Sequence, residues 1–193
     1  LARFGLGWML FQQGRCRESL EAFKEYVGSL PPAARQRADL PWRGGLDPTQ
    51  TAGGSTSRGV TDETVAQLWL AQGCCLMELG DEHAALTHFE TLEQLFPGHP
   101  RTIEAALSHS ELLQRQQRLA EARAVIERLP RRSLTAIQRD HVELRLGSLD
   151  VIDGQAEAAR ARFLSVKDAK ETALRQAAFN GLGDAALFLG DDQ

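Results

Sequence analysis

Basic charge is in short supply in this 193-residue chain, where 22 Lys and Arg stand against 26 Asp and Glu for a net charge of −4. A nucleic-acid footprint needs a clustered basic surface, so that class of partner is disfavoured. There is no run of 18 apolar residues, so no segment is long enough to span a membrane as a helix. Cysteine is scarce. Cys16, Cys74 and Cys75 make neither a disulfide framework nor a metal set. The adjacent pair would sit about 100° apart on a helix and could not easily face one ligand. All three read as small helix residues, and they leave the redox compartment open.

The patterns that carry chemistry are missing too. Gly44-Gly45 and Gly53-Gly54 lack a following Lys-Ser/Thr and open no clear helix, so they do not cradle a phosphate. His83 and His88 do not share the i, i+4 spacing of two ligands on one helix face. His99, His109 and His141 lack spaced Cys or carboxylate partners. The histidines read as surface residues. No serine sits in a GxSxG elbow. No catalytic, cofactor-binding or metal-ligating residue emerges, and the chain reads as a non-enzyme without a cofactor.

What is present is periodicity. Within residues 69–97, Trp69, Gly73 and Leu76 share one face of a helix, because steps of three and four bring side chains together at 3.6 residues per turn. Gly80-Asp81 breaks that helix. A second helix is expected over about 82–96, with Ala85, Phe89 and Leu92 as its buried stripe and Pro97 closing it. This stretch resembles a tetratricopeptide repeat, with Trp69, Gly73, Leu76, Ala85, Phe89 and Pro97 in signature places. Gln72 departs from the pattern, which prefers Leu there.

The landmarks recur. Repeat one shows Leu6-Gly7, Leu10, a turn at Gly14, then Ser19, Phe23, Tyr26 and Pro31, and Gly7 precedes Pro31 by the same 24 residues that separate Gly73 from Pro97. Repeat three has Ser110, Leu113, Gln117 in place of the turn glycine, Ala122 and Ile126, and Pro130 cuts its second helix early. Repeat four reads Leu146-Gly147, Gly154, Ala159, Phe163 and Val166, with Asp150 where an apolar residue is expected. Repeat five offers Phe179, Leu182-Gly183 and Ala186, then stops at Gly190-Asp191. Steps of 37, 37 and 36 residues separate Gly73, Ser110, Gly147 and Gly183. Units of this kind cannot bury an apolar face alone, so neighbours stack.

Gly7 to Gly73 spans 66 residues, about 30 more than one repeat needs. The excess is the Gly/Pro/Ser/Thr-rich stretch 32–61, read as a flexible insert in which only 33–40 could make a short helical turn. Thr61 or Asp62 should cap the following helix. The expected organisation is repeat one over 1–31, the insert over 32–61, and repeats two to five over 62–193. The last repeat is expected to be truncated after its first helix, as in a fragment of a longer protein.

The resemblance implies an all-α, right-handed α-solenoid of about four and a half helix-turn-helix repeats. It also implies a concave groove, lined by first helices, that holds a protein or peptide partner. Carried over by position, the groove would show Phe4, Trp8 and Phe11, then Leu70, Cys74 and Met77, then Leu107 and Glu111, then Leu144. The family's chaperone-tail subclass grips a terminal carboxylate with Lys, Asn and Arg. Phe4, Trp8, Leu70 and Cys74 stand in those places, which argues against that role. An apolar line of this kind either meets a partner or packs against residues expected upstream of this stretch, or against the chain's own insert through Trp42. The charged residues Glu121, Arg123 and Arg128 read as solvated. The resemblance implies a non-enzymatic interaction scaffold. The alternatives are a regulatory module serving a catalytic domain elsewhere, and self-association through the open last hairpin. Residues 66–71 with FPGHP at 96–100 also look like repeats of bacterial envelope proteins of the Tol-Pal-associated and outer-membrane-assembly kind, which implies a periplasmic home, with the cytoplasm as the alternative.

Overall fold

The computed structural model describes residues 2–39, 41 and 61–190. Trp42, the rest of the 42–60 stretch and residues 191–193 lie outside the described residues, so self-docking through Trp42 falls there too. Among the described residues the chain is helical throughout: α1 (Ala2–Gln12), α2 (Cys16–Gly28), α3 (Pro32–Ala38), α4 (Asp62–Glu78), α5 (Glu82–Leu95), α6 (Pro100–Arg115), α7 (Leu119–Glu127), α8 (Ala136–Ile152), α9 (Ala156–Val166) and α10 (Thr172–Leu189). A short 3₁₀ turn, Arg131–Ser133, follows α7. These elements fall into two compact units, residues 1–112 and 113–193. Each is a set of helical hairpins of the α-solenoid class.

Local chemistry sets the helix ends. The Thr61 hydroxyl accepts the Thr64 backbone N–H at 3.2 Å, and the Asp81 carboxylate accepts that of Ala84 at 3.2 Å. Thr135 and Gln138 satisfy each other's backbone N–H groups in a capping box that opens α8. Between the helices of a hairpin the chain enters the left-handed region at Gly14, Gly80 and Gly154, and at Gln117 in the third repeat, where φ is 61°. Gln117 has a Cβ and tolerates that conformation at a cost of about 1–2 kcal/mol.

One close approach is repeated in three hairpins. A Cβ added at Gly7, Gly73 or Gly147 would lie 2.6, 2.6 or 2.7 Å from the ring of Phe23, Phe89 or Phe163, each sixteen residues downstream. Only a residue without a side chain lets the second helix come this near, so the ring sits directly on the first helix's backbone. Buried Ser19 strengthens the first hairpin by donating its hydroxyl to the Gly7 carbonyl at 2.8 Å.

In the first unit, Phe23, Trp69, Phe89, Leu68, Leu92 and Leu112 form the heart of the core. Pro32–Ala38, at the start of the stretch read as insert, is the helix α3, and it buries Ala34 and Ala38 in that core. Arg37 of α3 also pairs with Asp62 of α4 at 2.6 Å. Gln72 is buried, and among the described residues its Oε1 has no hydrogen-bond partner. The departure from the repeat pattern thus carries a desolvation penalty.

In the second unit, α8, α9 and α10 enclose Leu146, Phe163, Val166, Ala178 and Ala185. Asp150, out of place by pattern, is 1% exposed and accepts from Arg123 Nη2 and Arg162 Nε, each at 2.7 Å. Arg123 also reaches Asp153 at 2.8 Å, and Arg162 reaches Glu143 at 2.7 Å. This corrects the expectation for Arg123. It is no solvated partner of Glu121 but a link from α7 into α8, because a buried carboxylate needs neutralising charge beside it. Glu121 pairs with Arg118 instead.

Candidate functional site

The first helices of unit one meet along one side. Trp8 of α1 lies 5.4 Å from Phe11, and the Arg101 guanidinium of α6 stands 5.5 Å over the Trp8 ring. Arg101 also approaches Glu63 of α4 at 3.7 Å, and His99 Nε2 lies 2.9 Å from the same carboxylate. Further along, Cys74 Sγ contacts the Ser108 hydroxyl at 3.8 Å, joining α4 to α6.

The residues expected to line a groove have several fates. Phe4 belongs to the α1–α2 interface, with its ring 5.9 Å from Phe23 and 5.4 Å from Tyr26. Leu70 is only 3% exposed and is a core residue. Trp8, Phe11 and Cys74 are half-buried, and Met77 shows an edge. Leu107 and Glu111 lie half-buried on α6. Leu144 belongs to the second unit, where it packs against the α9 and α10 side chains of the core. The period of a helix names one face; packing then decides how much of that face another element covers.

Phe11, Cys74 and Met77 do come together. They floor a cleft of about 700 Å³ whose wall is made by Arg15, Cys16, Arg17 and Glu18 from the start of α2 and by Glu78 and Leu79 from the end of α4. Arg15 and Glu18 form a forked ion pair on its lip, with Nε to Oε1 at 2.8 Å. The Arg15 hydrogen bond holds the Glu18 carboxyl below its ordinary range. These wall residues lie at the start of α2 and the end of α4 and are mostly charged, so the apolar period that names a core face does not name them. They are the part of the site that sequence pattern does not reveal.

The floor is chemically quiet. Burial pushes the Cys74 thiol up to about 11 and raises Cys75 as well, so both stay protonated at neutral pH. All three cysteines are free, and Cys16 and Cys74 share the cleft although they are 58 residues apart in sequence. They behave as small apolar groups.

Two histidines correct the expectation that all lie on the surface. His88 is fully buried, with its Nδ1–H donating to the Ala84 carbonyl at 2.8 Å, and burial lowers its pKa to about 4. His109 is also buried, its Nδ1 2.8 Å from Glu93 and its ring stacked on Phe89. Both sit on the core side of α5 and α6. Among the described residues no three His, Cys, Asp or Glu side chains converge as a metal site.

Residues 67–99 match the family model for the tetratricopeptide repeat. The match covers the α4–α5 hairpin from the face that carries Trp69 to the turn after Phe96. This hairpin is therefore a tetratricopeptide repeat, a kind of repeat that typically serves as a non-catalytic protein–protein interaction module. No curated protein matches the chain. No helix among the described residues is long and apolar enough to cross a membrane.

Proposed function

We propose that the chain is an interaction scaffold that takes a segment of a protein partner on the first helices of unit one, with an apolar side chain of that segment anchored in the Phe11–Cys74–Met77 cleft. The observation that carries this reading is the cleft itself, an open apolar floor with a charged rim, set against an interaction module. An aliphatic or aromatic anchor suits such a floor, because removing both surfaces from water is favourable and neither brings a polar atom needing a partner. Polar groups of the segment can then meet the rim at Arg15, Arg17, Glu18 and Glu78.

The test is photo-crosslinking from source-cell extract with the probe at exposed Arg17. Leu79, a rim side chain that contributes little to the core, supplies the control variant. A discrete crosslinked protein that disappears with Leu79→Glu, while circular dichroism stays unchanged, supports the cleft. Crosslinks that persist undiminished in Leu79→Glu would remove it as the binding surface. Leu70→Glu is unsuitable here, since a charge at that buried position would unfold the unit.

A further inference from the structure

The three cysteines of the chain gather in unit one, and two of them touch. Cys16 opens α2, while Cys74 and Cys75 are neighbours on α4. A helix turns about 100° per residue, so the adjacent pair face different elements. Cys74 is turned toward α6, where its Sγ lies 3.8 Å from the Ser108 hydroxyl. Cys75 is turned toward α2, where its fully buried thiol is in hydrogen-bond contact with the Cys16 thiol and the Ser19 hydroxyl. Cys16 and Ser19 are three residues apart and share one face of α2, so both contacts belong to a single seam between the helices.

The two touching thiols differ in access. Cys75 is closed off from water, whereas Cys16 is half-buried and forms part of the wall of the 700 Å³ cleft. A small solute in the cleft meets the first thiol directly and the second only through it. All three thiols are free, and in that state they pack as small apolar groups. The contact that packs Cys16 on Cys75 is also the arrangement a redox-active dithiol needs, an accessible sulfur with a resolving sulfur beside it.

We propose that Cys16 and Cys75 are a redox pair, joined as a disulfide between α2 and α4 when hydrogen peroxide enters the cleft. The Cys16 thiol gives up its proton, and its sulfur attacks one peroxide oxygen. The O–O bond breaks, the departing oxygen leaves as water with that proton, and Cys16 becomes a sulfenic acid. The Cys75 sulfur then attacks the Cys16 sulfur. The S–O bond breaks, and the hydroxyl leaves as a second water with the Cys75 proton. Two thiols are oxidised and one peroxide is reduced. Burial holds Cys75 protonated until that step, so its proton is available to the leaving oxygen. The bond closes a loop between positions 59 residues apart and ties the cleft's wall to the helix of its floor.

The test treats the intact chain with hydrogen peroxide, then denatures and alkylates it and compares its mass with that of the untreated protein. Loss of two hydrogens is expected, with one thiol alkylated instead of three. The thermal midpoint of unit one should rise by about 5–15 °C, because the cross-link removes loop entropy from the unfolded chain. Dithiothreitol should reverse both changes. Cys16→Ala and Cys75→Ala should each abolish the bond, and Cys74→Ala should keep it, with circular dichroism reporting that each variant is folded. Fragmentation of the linked peptides from the unsubstituted protein assigns the pair independently of the variants. A bond that maps to Cys74 or survives Cys75→Ala, a covalent dimer, or Cys16 sulfinic acid beside a free Cys75 overturns the proposal. Three free thiols after peroxide overturn it as well. The pair lies beside the cleft and does not depend on what the cleft binds, so none of these outcomes bears on the Leu79→Glu test.

Discussion

The indole N–H of Trp69 donates to the carbonyl of Ala38 at 2.9 Å, tying the middle of α4 to the last turn of α3 across 31 positions of sequence. Both residues are buried. The Ala38 carbonyl lies among the last four of its helix, which have no partner within the helix, so Trp69 supplies one from outside.

Trp69→Phe is expected to lower the stability of unit one by about 1–3 kcal/mol, because it removes the donor and leaves a buried carbonyl unsatisfied. The loss should be local as well as global. Hydrogen exchange of the α3 amides should accelerate more than that of α5. Equal protection of α3 in both proteins would show that packing of Ala34 and Ala38, rather than the hydrogen bond, holds the helix.

Gly73→Ala and Gly183→Ala form a matched pair. At Gly73 the new methyl would lie 2.6 Å from the Phe89 ring, so the helices must separate. A destabilisation of about 1–3 kcal/mol is expected in urea unfolding. At Gly183 the methyl meets open space, and helix propensity alone should stabilise the protein by up to about 1 kcal/mol. The same sign of change at both sites would contradict the close-approach geometry.

His88 makes unit one sensitive to acid. Its pKa falls from 6.5 to about 4, first because burial disfavours the charged ring, while the Ala84 carbonyl and Asp81 partly oppose that effect. The unfolded chain therefore binds the extra proton at a higher pH than the folded one. The His88 contribution is complete above pH 6.5 and is lost as pH falls toward 4, up to about 3 kcal/mol. An NMR titration should show this ring neutral well below pH 6, and His88→Leu should flatten the stability profile over that window. A ring titrating near 6.5 would refute the assignment.

Asp150 is a buried carboxylate in unit two held between two arginines. Asp150→Leu restores the apolar residue that the repeat pattern expects, yet it should destabilise by about 2–3 kcal/mol, because Arg123 and Arg162 still point into the site. With both arginines also changed to Leu, the same substitution is expected to be neutral or stabilising. Urea unfolding of the single and triple variants measures the coupling; a costless single variant would show that Asp153 and Glu143 suffice as partners.

The hairpins could be read from the sequence because their determinants are local. Glycine spacing, turn glycines, capping hydroxyls and the step of sixteen from Gly to Phe act within one or two helices. Even Gln117, standing in for a turn glycine, adopts the left-handed conformation its position requires. Residues separated by a whole repeat or more were another matter. Sequence places Asp150 at a core position but does not show that Arg123, 27 residues earlier, arrives to neutralise it. Periodicity puts Leu70 and Met77 on the same face as Trp8 and Phe11, but the packing of other helices covers Leu70 and leaves Phe11 open. The cleft wall comes from mostly charged residues at helix ends, which an apolar period does not mark. Sequence by itself determined which helices form and which faces are apolar, since those follow from backbone geometry and side-chain spacing. Only the tertiary structure decided which apolar faces and charges are covered, because burial depends on elements that meet across long stretches of chain.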